Sequence, residues 1–161
     1  MLKNTKKAER EQMFEEYQNG VKLDNGKAFE LYMAKVYNAS RHYTYAASWE
    51  AGDIVADGVH YQVKAYNGFW QGIATLEEFI DFILNVCKAS RYLLKVGTSA
   101  QVLEGQEIWV DVNKQGLMTL ARNGYIKFNR TAHGIPSAKW GMTKKQALHL
   151  YMNLGIRPIK G

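Results

Sequence analysis

Phe29, Met33, Val36 and Tyr37 recur at helical spacing and predict a helix over Lys27–Ala39. A charged amphipathic helix over residues 5–19, stopped at Gly20, precedes it. From Arg41 the period shortens. Residues 41–48 are aromatic and extended, and Glu50-Ala51-Gly52 reads as a turn. Asp53–Ala56 and Val59–Tyr66 then read as strands joined at Asp57-Gly58, two residues that tolerate positive φ and so favour a tight hairpin.

A loop of glycines and aromatics over 67–74 leads to Thr75 and Glu78, the ends of a capping box for a helix to about Ala89. Leu76, Phe79, Ile80, Ile83, Val86 and Cys87 form one apolar stripe on it, which belongs against a sheet. Strands follow at Tyr92–Val96 and Glu107–Asn113, then a helix over Lys114–Asn123 ended by Gly124, and a strand over Tyr125–Asn129. A last helix opens at Thr143 with Gln146 as capping partner and stops at Gly155, before Pro158. The order α-α-β-β-β-α-β-β-α-β-α has no repeat, linker or low-complexity stretch, so the expectation is one α/β or α+β domain over residues 1–161.

Composition narrows the class. With 47% hydrophobic residues in 161 the chain can build one packed core. No stretch approaches the roughly 18 consecutive apolar residues of a membrane span, and the first residues, Met-Leu-Lys-Asn-Thr-Lys-Lys, lead into a charged helix, so an intracellular protein with no membrane partner is expected. The single cysteine, Cys87, and four scattered histidines make no zinc-ligand pair.

Charge changes the picture more. The net charge of +6 divides into −2 over residues 1–80 and +8 over 81–161, and no acidic residue follows Asp111. Nine cations lie beyond it, interleaved with Tyr125, Phe128, Trp140 and Tyr151. A positive potential with flat side chains among the cations suits nucleic acid. Arg122, Lys127, Arg130, Lys139, Lys144 and Lys145 are the expected phosphate contacts; the alternative is a solvated basic face.

Candidate chemistry sits on the strand 59–66. Alternation points Val59, Tyr61, Val63 and Ala65 one way and His60, Gln62, Lys64 and Tyr66 the other. Asp53, on the partner strand, lies within reach of Gln62 and Lys64. A carboxylate, an amide oxygen and an ammonium on one side of a sheet form a half-site for a hard cation beside a phosphate. The same alternation also describes the solvated outer face of a hairpin.

The stretch from Gly52 to Ala65 resembles the active-site hairpin of the PD-(D/E)XK nuclease superfamily, in which an Asp opens one strand and an acidic-x-Lys triplet closes the next. Gly26-Lys27-Ala28-Phe29-Glu30 looks like the family's first helix, whose Glu faces the metal site, and Ser48 to Asp53 is similar to the turn before the catalytic Asp in junction resolvases. The resemblance covers about residues 25–97. It departs from the pattern at Gly52, where the family has Pro, and at Gln62, which stands at the acidic position and brings an oxygen without a charge unless Glu30, Glu50 or Asp57 compensates.

The resemblance implies a restriction-endonuclease-like α/β core, a central mixed β-sheet with an active-site hairpin flanked by helices, over about 25–97. Residues 98–161 would complete the fold with a basic nucleic-acid-binding surface. It further implies a Mg²⁺-dependent DNA endonuclease, with Mn²⁺ as substitute, in which Asp53, Gln62 and the carbonyl of Val63 hold the metal, Lys64 serves the attacking water, and Glu30 completes the catalytic set. So short a chain would act as a homo-oligomer to cut both strands. Homing or restriction-type cleavage is the first reading. The alternatives are a Holliday-junction-resolvase-like nuclease and a non-catalytic nucleic-acid-binding module with a decayed metal site. Three further side chains keep two readings each: Lys95 as a lysine snorkelling outward or a second cation near the phosphate, and Phe69 and Trp70 as wedges over a groove or caps on the core.

Overall fold

The structure, a computed structural model, describes residues 25–42, 53–97 and 108–160. The helix expected over 5–19, most of the extended segment 41–48 and the Glu50-Ala51-Gly52 turn lie outside these residues. Within them the chain forms α1 (Asn25–Val36), β1 (Arg41–His42), β2 (Ile54–Ala56), β3 (Val59–Lys64), β4 (Phe69–Gln71), α2 (Leu76–Asn85) and β5 (Arg91–Val96). There follow β6 (Ile108–Asn113), α3 (Lys114–Arg122), β7 (Ile126–Arg130), β8 (Pro136–Trp140), α4 (Lys144–Leu154) and β9 (Ile159–Lys160). This is an α/β architecture with a mixed central sheet and, among the described residues, four helices.

The central sheet has the order β1-β2-β3-β5-β6-β9. β2 and β3 are antiparallel and pair Ile54 with Tyr61 and Ala56 with Val59, around a turn in which Asp57 and Gly58 take φ of 49° and 75°. Both central residues thus have the left-handed backbone that a two-residue hairpin demands. β3 and β5 are parallel, with Val63 beside Leu93, and parallel neighbours need a crossover, which α2 supplies. Thr75 caps α2 by accepting from the Glu78 N–H, while the Glu78 carboxylate returns to the N–H of Ala74, one residue earlier than a capping box requires. The helix ends at Asn85, short of the expected Ala89, and Val86 leaves the stripe for solvent.

Both faces of β5 are covered, which is why its sequence runs apolar without alternation. On one side Phe29 and Met33 of α1 pack on Tyr61, Val63, Leu93 and Trp109. On the other, Tyr92, Leu94 and Val96 meet Phe79 and Ile83 of α2, Leu117 and Leu120 of α3, and the inner face of a second sheet. Tyr37, just past α1, ties the first side to the sheet: its hydroxyl donates to Asp111 Oδ2 at 3.0 Å and accepts from Trp109 Nε1 at 3.0 Å. Arg91 Nε reaches the other Asp111 oxygen at 2.6 Å. Burial, the largest influence, and the Asp111 charge hold the Tyr37 proton on well above the ordinary tyrosine range.

The second sheet, β4-β8-β7, was not expected. Sequence placed Phe69–Gln71 in a loop and assigned nothing to Pro136–Trp140, yet Trp70 pairs with Ala138, and Ala138 with Phe128. Trp140 fastens this sheet to the central one through a 2.7 Å bond from Nε1 to the Lys95 carbonyl. α4 has the expected capping box, Thr143 with Gln146, and ends at Gly155. No helix among the described residues is long and apolar enough to cross a membrane.

Candidate functional site

The hairpin register sets the site. Ile54 pairs with Tyr61, so Asp53, one residue earlier, lies opposite Gln62, and the Asp53 N–H donates to the Tyr61 carbonyl at 2.7 Å. Asp53 Oδ2 accepts twice: from the Val63 N–H at 2.7 Å and from the Gln62 amide nitrogen at 3.1 Å. Neither side chain is solvated, Asp53 being 6% and Gln62 4% exposed. The even-numbered side chains of β3 lie beside Tyr92 and Leu94 of β5, on the face that α2 covers. The polar face of the hairpin is therefore interior, and the solvated-face reading does not hold for it.

A buried amide normally satisfies both of its ends. Here Nε2 must face Asp53, because the reverse rotamer would set two acceptors against each other, and Gln62 Oε1 is left buried with no donor. A carbonyl oxygen without a donor, beside a carboxylate, is the arrangement a hard cation completes. Among the described residues no group of three or more His, Cys, Asp or Glu side chains could hold a metal by itself, so the amide and main-chain oxygens matter. Val63 meets Asp53 through its N–H, while its side chain packs toward α1.

Lys64 is half-buried, donates to the Phe69 carbonyl at 3.1 Å and stands 5.0 Å from the Trp70 ring centroid. Desolvation by burial lowers its pKa below the ordinary lysine value, and the charges of Asp53 and then Glu30 oppose that shift. Both carboxylates act on one ammonium. Glu30, on α1, has Oε1 2.5 Å from Nε2 of the fully buried His42, a residue to which sequence reasoning gave no function. Twelve residues and a change of element separate the two, and no periodic pattern links them. Of the other carboxylates named as compensation for Gln62, Asp57 sits exposed in the turn at the far end of the hairpin and Glu50 lies outside the described residues.

Lys95 fits neither of its readings. It is 1% exposed, its Nζ donates to the Gly97 carbonyl at 3.3 Å, and strand alternation puts it with Leu93 on the face away from Gln62 and Lys64. Phe69 and Trp70 divide between theirs: Phe69 is exposed, whereas Trp70 is buried edge-on against Phe79 at 5.0 Å.

The basic residues fall into four places. Lys127 and Lys139 face each other across β7 and β8, with Phe69 next in the row on β4. Lys144 and Lys145 occupy the first turn of α4. Arg122 is exposed in the last turn of α3, and Arg130 lies at the opposite end of β7, bonded to the Gly134 carbonyl at 2.8 Å. A cavity of about 270 Å³ opens beside the first two groups, lined by Tyr66, Asn67, Tyr125, Lys127, Lys139 and Gln146 among others.

Compared with models of known families, with curated proteins and with solved structures, the chain matches none.

Proposed function

We propose that this chain is a Mg²⁺-dependent DNA endonuclease with a restriction-endonuclease-like core, cutting at specific sites as a homo-oligomer. The observation that carries the proposal is the buried, donorless Oε1 of Gln62 beside the Asp53 carboxylate, with the Lys64 ammonium next along the same strand face. The order of elements supports it: a helix, a three-stranded antiparallel meander, a helix and a strand parallel to the third, with the polar cluster at the hairpin.

The donor set fits a hard cation. Asp53, Gln62 Oε1 and the Val63 carbonyl would hold Mg²⁺, with Mn²⁺ as a substitute, and Glu30 would supply a second negative charge. Bound there, the metal would supply Lewis-acid polarisation of the phosphoryl group. The protein's own groups do the rest. Lys64, its pKa lowered and its position fixed by Phe69, holds the attacking water and offsets the charge that builds on the phosphate oxygens. The water oxygen bonds to phosphorus and releases one proton to solvent, the bond to the 3′ oxygen breaks, and the departing oxygen takes a proton from solvent, leaving a 5′-phosphate and a 3′-hydroxyl. His42 positions Glu30.

One observation favours a second reading, a nucleic-acid-binding module without catalysis: the amide of Gln62 already satisfies Asp53, so this pair persists with no cation. Incubation of supercoiled plasmid with Mg²⁺, and with EDTA, decides between them. Nicked and linear products in Mg²⁺ alone are expected; DNA binding without cleavage at any Mg²⁺ or Mn²⁺ concentration overturns the enzyme.

A further inference from the structure

The cavity beside β7 and β8 is built from placements that each cost stability. Lys127 and Lys139 are directly opposite in antiparallel strands, where like charges repel. Lys144 and Lys145 stand in the first turn of α4, the end of a helix at which the dipole disfavours cations, with no acidic residue among them. None of the four has an ion-pair partner among the described residues, and the sequence offers no carboxylate after Asp111. Two unfavourably placed cations, Lys127 and Lys139, line one concavity, and Lys144 and Lys145 follow Thr143 at its edge; an anion that the protein receives there explains the placement.

The rest of the lining selects which anion. Tyr66 and Tyr125 bring flat rings, Asn67 brings an amide able to meet the edge of a base, and Gln146, whose oxygen holds the Thr143 N–H, adds an amide nitrogen. At about 270 Å³ the cavity is below the ~300–1,000 Å³ of a drug-sized site, a size that suits one base with its sugar. A base stacked and paired in a duplex cannot enter a concave site of this size; an unpaired one can. Position adds a constraint. Tyr66 is two residues beyond Lys64, about 7 Å of chain at full extension. The Asn67 N–H bonds to the Trp140 carbonyl at 3.1 Å, so the cavity is fixed to the end of β3.

From this geometry we infer that the cavity seats one unpaired nucleotide of the substrate, its phosphate between Lys127 and Lys139 and its base against Tyr66 and Tyr125. The inference rests on the nucleic-acid reading above and adds that the DNA bound carries an unpaired nucleotide within a step or two of the cleavage point.

Binding is measured without metal and so without cleavage. In EDTA, ¹⁵N-detected titration of the parent with a deoxynucleoside 5′-monophosphate is expected to shift amides around the cavity, with inorganic phosphate about tenfold weaker. A duplex with a one-nucleotide bulge is expected to bind about tenfold tighter than the fully paired duplex, the scale of one base stacked on an aromatic ring. Lys127→Gln/Lys139→Gln should weaken the mononucleotide at least tenfold and remove the preference for the bulge. Asn67→Gly, which tolerates the φ of 64° at that position, should weaken the mononucleotide and leave inorganic phosphate unchanged. Phosphate binding as tightly as the mononucleotide, no mononucleotide binding, equal affinity for both duplexes, or a double variant that binds like the parent each overturns the inference. Cleavage of plasmid without mononucleotide binding would remove the pocket alone. Mononucleotide binding with no cleavage would remove the nuclease alone.

Discussion

Gln62 spends its amide nitrogen on Asp53, 3.1 Å away, and keeps its amide oxygen buried with no donor. Glutamate at this position could not make that bond, because two carboxylates would face each other inside the protein. The amide thus binds its neighbour and leaves one acceptor over, whereas a glutamate would depend on a cation or a proton to be tolerated.

This sets the first prediction. Gln62→Ala removes an oxygen that water replaces only with loss of position, so cleavage should fall about 100-fold, a displacement penalty typical of a misplaced reacting group. Gln62→Glu should keep Mg²⁺-dependent cleavage and lower the Mg²⁺ concentration for half-maximal rate, while destabilising the metal-free protein. A Mg²⁺ titration of plasmid cleavage and urea unfolding in EDTA check both parts. An alanine variant that cuts like the parent removes Gln62 from the site.

Asp53 has a structural duty that its place in the pattern does not reveal: its Oδ2 is the partner of the buried Val63 N–H. Asp53→Asn keeps an oxygen for that N–H and should abolish cleavage with DNA affinity retained. Asp53→Ala leaves the N–H unpaired and should also lose about 1–3 kcal/mol of stability. Urea unfolding of the two variants beside the parent separates these roles; equal stability would mean the Val63 bond contributes nothing.

For Lys64, burial lowers the folded pKa below the ordinary 10.5, while the unfolded chain keeps the ordinary value. Between those two pH values the unfolded state holds more proton than the folded one, so stability rises with pH. Lys64→Met removes this titration. The parent should therefore gain stability relative to the variant as pH is raised toward 10.5, seen as a growing difference in urea midpoint, and the variant should not cut DNA. A constant difference across that range contradicts the assigned shift.

Salt dependence reports the basic surface. Each phosphate neutralised on duplex DNA contributes about −0.9 to the slope of log affinity against log salt. Lys144→Gln/Lys145→Gln should make the slope shallower by about 1.8 if both lysines bind phosphates. Arg130→Gln, at the other end of β7 and engaged with its own hairpin, should change it less. An unchanged slope in the lysine variant places the DNA elsewhere.

Tyr37→Phe keeps the ring and deletes the one hydroxyl that joins Trp109 to Asp111. The indole N–H of Trp109, a residue 2% exposed, loses its partner, at a cost of about 1–3 kcal/mol in urea unfolding. Arg91 still holds Asp111, so the variant should remain folded at ordinary temperature. No loss would show that water replaces the hydroxyl.

Where one residue or a short local pattern decides the backbone, the sequence was readable. Asp57-Gly58 specifies its hairpin, Thr143 and Gln146 specify the start of α4, and alternation along β3 assigns each side chain to its face. β4 and β8 escaped because the signal is long-range. Phe69–Gln71 is three residues with glycines on both sides, and β8 is five residues that open on Pro136, tolerated as the first residue of a strand. Asp53 and Gln62 stood out as a candidate pair through their register. Their burial did not show, since it depends on β5 and α2 closing over the hairpin, and His42 gave no sign because its partner arrives from another element.

The end of β3 is pinned from several directions. Lys64 donates to the Phe69 carbonyl, the Gly68 N–H returns to the Ala65 carbonyl at 2.8 Å, the Trp140 N–H donates to the Gly68 carbonyl at 2.9 Å where β4 begins its pairing with β8, and the Trp140 indole holds that sheet to the Lys95 carbonyl. At Gly68 an added Cβ would lie 2.8 Å from the Ala65 carbonyl oxygen, so no side chain fits between. A segment fastened this way cannot open by itself; loosening it means parting the second sheet from the first. Its amide hydrogens should then exchange only through the opening of the whole molecule, and heating should extinguish binding and fold in a single cooperative step, with no separate melting of the site.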